Sequence, residues 1–186
     1  MHKKVDSKFS RRGFIGTTAT ALAGFSIIPS HAVAGLGHTP PSDKLNIAGI
    51  GVGGKGKVNL RNMPGQNIVA LCDVDWDYAD GVFKTYPKAK KWKDFREMLD
   101  KQKDIEAVVI ATPDHTHAVQ AMMAMQLGKH VYCQKPLTHT VWEARELTKA
   151  AKRYRVATQM GNEGHSNDEV RMVTEIIHAG IIGDVY

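Results

Sequence analysis

Two kinds of apolar pattern take turns along this chain. Short apolar runs fall at 45–50, 67–72, 105–111, 130–133 and 156–160, rich in Ile, Val and Leu and too short for ordinary helices. They predict strands. Between them apolar residues recur at helical spacing, as at Val58, Leu60 and Met63, and predict helices over 54–63, 76–85, 94–101, 115–128, 140–154 and 167–179. Asp94 with Glu97, Thr140 with Glu143 and Ser166 with Glu169 read as capping boxes at three helix starts. Ala107-Val108-Val109-Ile110 and Val131-Tyr132-Cys133 are continuously apolar, as strands buried on both faces are. Strands and helices in alternation predict an α/β fold, a doubly wound parallel sheet covered on both sides. In such sheets ligands sit beyond the carboxyl ends of the strands.

The first 34 residues stand outside this alternation. Lys3, Lys4 and Lys8 make a basic start, followed by Ser10-Arg11-Arg12-Gly13-Phe14-Ile15, a mildly apolar run to Ile28, and the A-x-A sequence Ala32-Val33-Ala34. This order reads as a twin-arginine signal peptide over 1–34. The alternative is an uncleaved anchor, but the run is interrupted by Gly and Thr and falls short of the ~20 residues that span a bilayer. No stable span is expected after cleavage. Residues 35–43, with Pro40-Pro41, read as a linker, and 44–186 as one domain.

The signal also accounts for most of the charge. Its five Lys/Arg and one Asp supply +4 of the formal +6, leaving +2 for the rest. No Lys/Arg block lies on a candidate recognition helix, so nucleic-acid binding has no footprint here. Cys72 and Cys133 end strands expected on opposite sides of the first strand. That separation is too great for a disulfide and predicts two buried thiols.

The chemistry concentrates at strand ends. Gly51-Val52-Gly53-Gly54-Lys55-Gly56 lies between the first strand and the first helix, and the second strand runs into Asp73. This is the G-x-G-x-x-G dinucleotide fingerprint in its full context; the competing reading is a glycine-rich turn without ligand. Gly51 permits the tight turn, Gly53 the approach of a pyrophosphate, and Gly56 close helix–strand packing. The N–H groups of Gly54 and Lys55 would face phosphates. Asp73 would bind the adenosine ribose and repel a 2′-phosphate, favouring NAD over NADP.

Two further segments stand at later strand ends: Thr112-Pro113-Asp114-His115-Thr116-His117 and Gln134-Lys135-Pro136-Leu137. With the glycine turn, and with Gln159-Met160-Gly161-Asn162, they resemble the glucose–fructose oxidoreductase / inositol 2-dehydrogenase family (Gfo/Idh/MocA), most closely its exported sugar-active members. The resemblance covers residues 44–186. It implies a Rossmann-type nucleotide-binding domain followed by an α+β substrate domain. This chain ends near where that second domain would begin, so a fragment lacking it, together with the catalytic Asp and His it carries, is expected.

By the same resemblance Lys135 is the catalytic lysine beside the nicotinamide and the reacting carbinol, shielded from water; the competing reading is a solvated lysine. Thr112, Pro113, Asp114 and His117 match cofactor-lining positions, and Asn162 a cofactor contact. Gln134 stands where the family usually has Glu. A glutamine can still serve a ribose hydroxyl but gives Lys135 no negative neighbour. His165 is a candidate substrate contact or merely part of the loop. His115 and His117 with Asp114 could suggest a metal, but H-x-H without a further spaced ligand is weak, and no metal is expected. The implied activity is NAD-dependent oxidation of a sugar, glycoside or polyol carbinol with the cofactor held tightly and recycled. An NAD-dependent glycosidase working through transient C3 oxidation is the alternative, and a non-catalytic nucleotide-binding module the rival from another class. Implied partners are the sugar substrate, the twin-arginine translocase and, at full length, further copies of the chain.

Overall fold

The computed structural model describes residues 43–184. The signal peptide and nearly all of the linker expected above therefore lie outside the described residues. Six strands, all parallel, form one sheet: β1 (Asn46–Ile50), β2 (Asn67–Cys72), β3 (Lys90–Trp92), β4 (Ala107–Ile110), β5 (His130–Gln134) and β6 (Thr158–Gly161), in the order β3-β2-β1-β4-β5-β6. The helices are α1 (Lys55–Arg61), α2 (Trp76–Thr85), α3 (Phe95–Lys101), α4 (His117–Gln126), α5 (Val141–Tyr154) and α6 (Asp168–His178).

Side chains alternate along each strand and feed two cores. Ile50, Cys72, Val108 and Ile110 pack with Met98 and Leu99 of α3, Met125 of α4 and Leu147 of α5. Ile47, Leu71 and Val109, one position out of step, pack with Leu60 of α1 and with Val82 and Phe83 of α2. This alternation makes the sheet doubly wound. The helix α6 contributes no buried residue to either core.

The element most at odds with the sequence pattern is β3, which the apolar runs did not predict. Its three residues are Lys90, Lys91 and Trp92, and only Trp92 is buried. Lysines are what an exposed sheet edge carries, and they erase the hydrophobic signal. Helix starts differ as well. The Thr140–Glu143 box forms reciprocally, with Glu143 N–H donating to Thr140 Oγ1 at 3.2 Å and Thr140 N–H to Glu143 Oε2 at 2.8 Å. Asp94 instead accepts from Arg96 N–H, while the Arg96 guanidinium clamps the same carboxylate and Glu97 turns to Lys101. Ser166 caps nothing: it ends a short 3-10 turn, and α6 starts at Asp168 behind Asn167, without a side-chain cap. A cap absent from the sequence reading, Asp75 to Tyr78 N–H at 2.9 Å, starts α2.

Candidate active site

Strand order reverses at β1, between β2 and β4, which opens a crevice beyond the carboxyl ends of those strands. The glycine turn lies there. Gly51 has φ +77, in the left-handed region that favours glycine, and a Cβ on it would stand 2.7 Å from the Ala111 carbonyl oxygen. A Cβ on Gly56 would collide with the Gly51 carbonyl oxygen. These two glycines therefore close the turn and seat α1 on the sheet, as their spacing predicts. Gly53 faces the ring of Tyr78, which leaves no room for a side chain.

Asp73 directly follows β2 and holds this turn. Its Oδ2 accepts the N–H groups of Val52 and Gly53 at 2.8 and 2.9 Å, and its Oδ1 accepts Asp75 N–H at 3.1 Å. The carboxylate lines a cavity of about 440 Å³ with Gly51, Tyr78, Lys93, Phe95 and Pro113. Lys93 and Phe95 follow β3, so the sequence reading that lost this strand also lost these two wall residues. Tyr78 escaped it because nothing local marks an exposed helical tyrosine as facing a distant glycine turn.

A second cavity of about 520 Å³ opens on the β5 side, with Thr112 common to both. Its walls include Lys55, Asp114, Gln134, Lys135, Asn162 and Glu163. Lys55, expected at a phosphate through its backbone, sends its side chain across the mouth: Nζ meets Glu163 Oε1 at 2.7 Å. Gln134 is buried. Its Nε2 donates to Asn59 Oδ1 at 3.1 Å, and the absent Cβ of Gly161 makes room for its amide at 2.8 Å. Asn59 Nδ2 is buried without a partner.

Lys135 departs from the expected shielding. It is the first residue beyond β5 and is exposed, because none of the described residues covers it. His117 departs further. Expected to line the cofactor, it is 1% exposed and absent from both cavity walls; its ring sits beneath them, Nδ1 at 2.7 Å from Pro136 O and Nε2 at 2.9 Å from Thr112 O. His115 is exposed, so the H-x-H pair points to no shared ligand. Asn162 and His165 are both exposed; Asn162 lines the second cavity and His165 lines neither.

Both cysteines are buried free thiols, pushed up to about 12 by burial; the charges of Asp73 and Asp94 add to the effect at Cys72. Both pack in the core, and Cys72 also lines the cavity that Asp73 enters.

A glycine cradle at the switch point of a 3-2-1-4-5-6 parallel sheet, with a carboxylate closing it from β2, defines a Rossmann-type dinucleotide-binding domain. The chain belongs to the Gfo/Idh/MocA oxidoreductase family: residues 44–162 match the family described as oxidoreductase family, NAD-binding Rossmann fold. It is 27% identical to a glycosyl hydrolase family 109 protein from Shewanella pealeana, over 96% of this chain and 44% of that one. It is 30% identical to an inositol 2-dehydrogenase from Rubrobacter xylanophilus, over 76% of this chain and 42% of the relative. Among solved structures, scyllo-inositol dehydrogenase from Lactobacillus casei with bound NAD(H) and scyllo-inositol superposes with a TM-score of 0.67 at 25% identity, covering 76% of this chain and 43% of that one. The chain thus spans under half the length of these relatives.

Proposed function

We propose that this chain is the nucleotide-binding part of an NAD-dependent oxidoreductase that acts on a carbinol of a sugar, glycoside or polyol. The observation that carries the reading is the cradle itself. Gly51 and Gly56 let the turn and α1 close tightly at the strand end where any Cβ would intrude, and Asp73 braces the turn from just beyond β2. The residues present therefore fit a dinucleotide. Gly51, Gly53, Gly54, Lys55 and Gly56 would hold its pyrophosphate, Asp73 its adenosine ribose, and Thr112, Pro113, Asp114, Gln134 and Asn162 its nicotinamide half. NAD, when bound, supplies a hydride acceptor.

The chain's own contribution to the chemistry is positioning and proton handling. Lys135, on the wall of the β5-side cavity, would take or relay the carbinol proton. Asp114 on the same wall would orient hydroxyl groups. His165 would meet substrate only from outside that wall. Asp73 would repel a 2′-phosphate, while Lys93 on the same cavity would soften that repulsion, so the preference for NAD is one of degree.

The glycosidase alternative has its own support. The glycosyl hydrolase family 109 relative aligns over 96% of this chain, an extent that must include part of residues 1–43. The twin-arginine pattern in residues 1–34 is the ground for proposing export by that route, which carries folded, cofactor-loaded proteins. An enzyme outside the cytoplasmic membrane would hold NAD tightly and regenerate it in place, assembled at full length as a homo-oligomer. Sugar and polyol substrates, offered to the NAD-loaded protein, should give a reduced-nicotinamide absorbance; loss of it with Lys135→Ala would support the reading. Hydrolysis of an aryl glycoside without net reduction would favour the glycosidase, and neither signal would count against both. Retention of precursor in the cytoplasm when Arg11 and Arg12 are both changed to Lys tests the export route.

A further inference from the structure

The two turns that wall the β5-side cavity are tied together from below by one buried side chain. His117 opens α4, is 1% exposed, and touches a backbone carbonyl with each ring nitrogen: Pro136 O at 2.7 Å and Thr112 O at 2.9 Å. Carbonyl oxygens only accept. Each contact is a hydrogen bond only where the ring nitrogen carries a hydrogen, and a neutral imidazole carries one. Two short contacts to two acceptors therefore ask for hydrogens on both nitrogens.

What the ring joins gives the geometry its meaning. Pro136 directly follows Lys135. Thr112 lines both cavities, and its hydroxyl belongs to a chain from Thr116 Oγ1 to Thr112 Oγ1 to Gln120 Oε1, each step 2.8 Å. We propose that His117 is a positioning residue that donates from both ring nitrogens and so fixes the distance between the Lys135 turn and the Thr112 turn. The ring touches neither cofactor nor substrate; it sets where Lys135 stands across the cavity. An asparagine or glutamine amide carries both its N–H bonds on one nitrogen and does not reach outward in two opposed directions as the imidazole does. A phenylalanine fills the volume and leaves both carbonyls unpaired.

The consequence for nucleotide rests on the proposed NAD site, so the test has an arm that does not. Nitrogen NMR on the nucleotide-free protein, labelled in histidine and assigned by comparison with His117→Gln, should show hydrogen on both His117 nitrogens at neutral pH. A single N–H would overturn the proposal whatever the protein binds. In the second arm, calorimetry compares NAD with ADP-ribose, which lacks the nicotinamide, for the wild type, His117→Gln and His117→Phe. NAD affinity should fall on the order of tenfold, as expected for losing a charge-assisted hydrogen bond that holds one wall, with a smaller loss for ADP-ribose. Equal losses for both ligands, or none, would overturn the positioning role. If His117→Phe does not fold, His117→Gln decides. A wild type that binds neither nucleotide would refute the dinucleotide site and leave the brace to stand or fall on its ring-nitrogen signals.

Discussion

Asp73 and Gly53 are joined across the switch point of the sheet: one carboxylate oxygen of Asp73 accepts the Gly53 N–H at 2.9 Å, and the Val52 N–H at 2.8 Å. The acidic residue that would recognise a ribose is thus also the clamp of the turn that would receive a pyrophosphate. A carboxylate has lone pairs enough for both tasks, since each oxygen can accept twice.

Asp73→Ala should therefore do two things at once. Three backbone N–H groups lose their acceptor, which should cost about 1–3 kcal/mol in urea unfolding. NAD affinity should fall while NADP affinity falls less or rises, because Lys93 remains on the same wall. Calorimetry with both nucleotides checks this. An unchanged NAD-to-NADP ratio would remove Asp73 from the recognition role and leave it only the clamp.

Two glycines make a contrasting pair. A Cβ on Gly56 runs into the Gly51 carbonyl oxygen, a backbone atom that cannot swing aside. Gly56→Ala should cost about 1–3 kcal/mol as an overpacking defect and weaken nucleotide binding with it. A Cβ on Gly65 meets nothing within 4 Å. Gly65→Ala should be neutral, or stabilise by up to about 1 kcal/mol by restricting the unfolded chain. Chemical denaturation of both variants decides; equal effects would mean that the close approach at Gly56 is relieved elsewhere.

The doubly wound parallel sheet and the roles of Gly51 and Gly56 could be read from the sequence because each rests on local rules: strand and helix patterns in alternation, and glycine where backbone crowds backbone. What could not be read depends on partners without a sequence mark. His117 meets two carbonyl oxygens that any residue would supply. Lys55 meets Glu163 across 108 positions. The edge strand Lys90–Trp92 was hidden by its lysines, and with it went Lys93 and Phe95. Shielding at Lys135 was expected from the family, and the described residues do not provide it.

The thiols give a prediction of opposite sign to the usual acidic one. Burial raises Cys72 and Cys133 from 9.0 to about 12, so the folded chain keeps their protons where the unfolded chain loses them. Their contribution to stability is complete below pH 9.0 and should fade as pH rises from there toward 12. Below pH 9.0 neither should react with iodoacetamide until denaturant is added. Mass spectrometry of labelled protein reads the outcome, and rapid labelling of the native chain would contradict their burial.

Lys135 is the residue on which the proposed chemistry turns. It lies on the cavity wall without an ion pair of its own among the described residues, and the Gln134 side chain behind it is turned toward Asn59. Nothing in this arrangement makes Lys135 a structural residue, so Lys135→Ala should leave urea stability within about 0.5 kcal/mol of the wild type. Nucleotide affinity should change little for the same reason. Turnover of a sugar substrate should fall by roughly 10²–10⁴, the usual worth of a general base or acid. Lys135→Arg should not rescue it, because a guanidinium does not give up its proton near neutrality. Steady-state kinetics and calorimetry on the same preparations separate these effects. Near-normal turnover in Lys135→Ala would assign the proton to another group and leave Lys135 as a solvated lysine at a strand end.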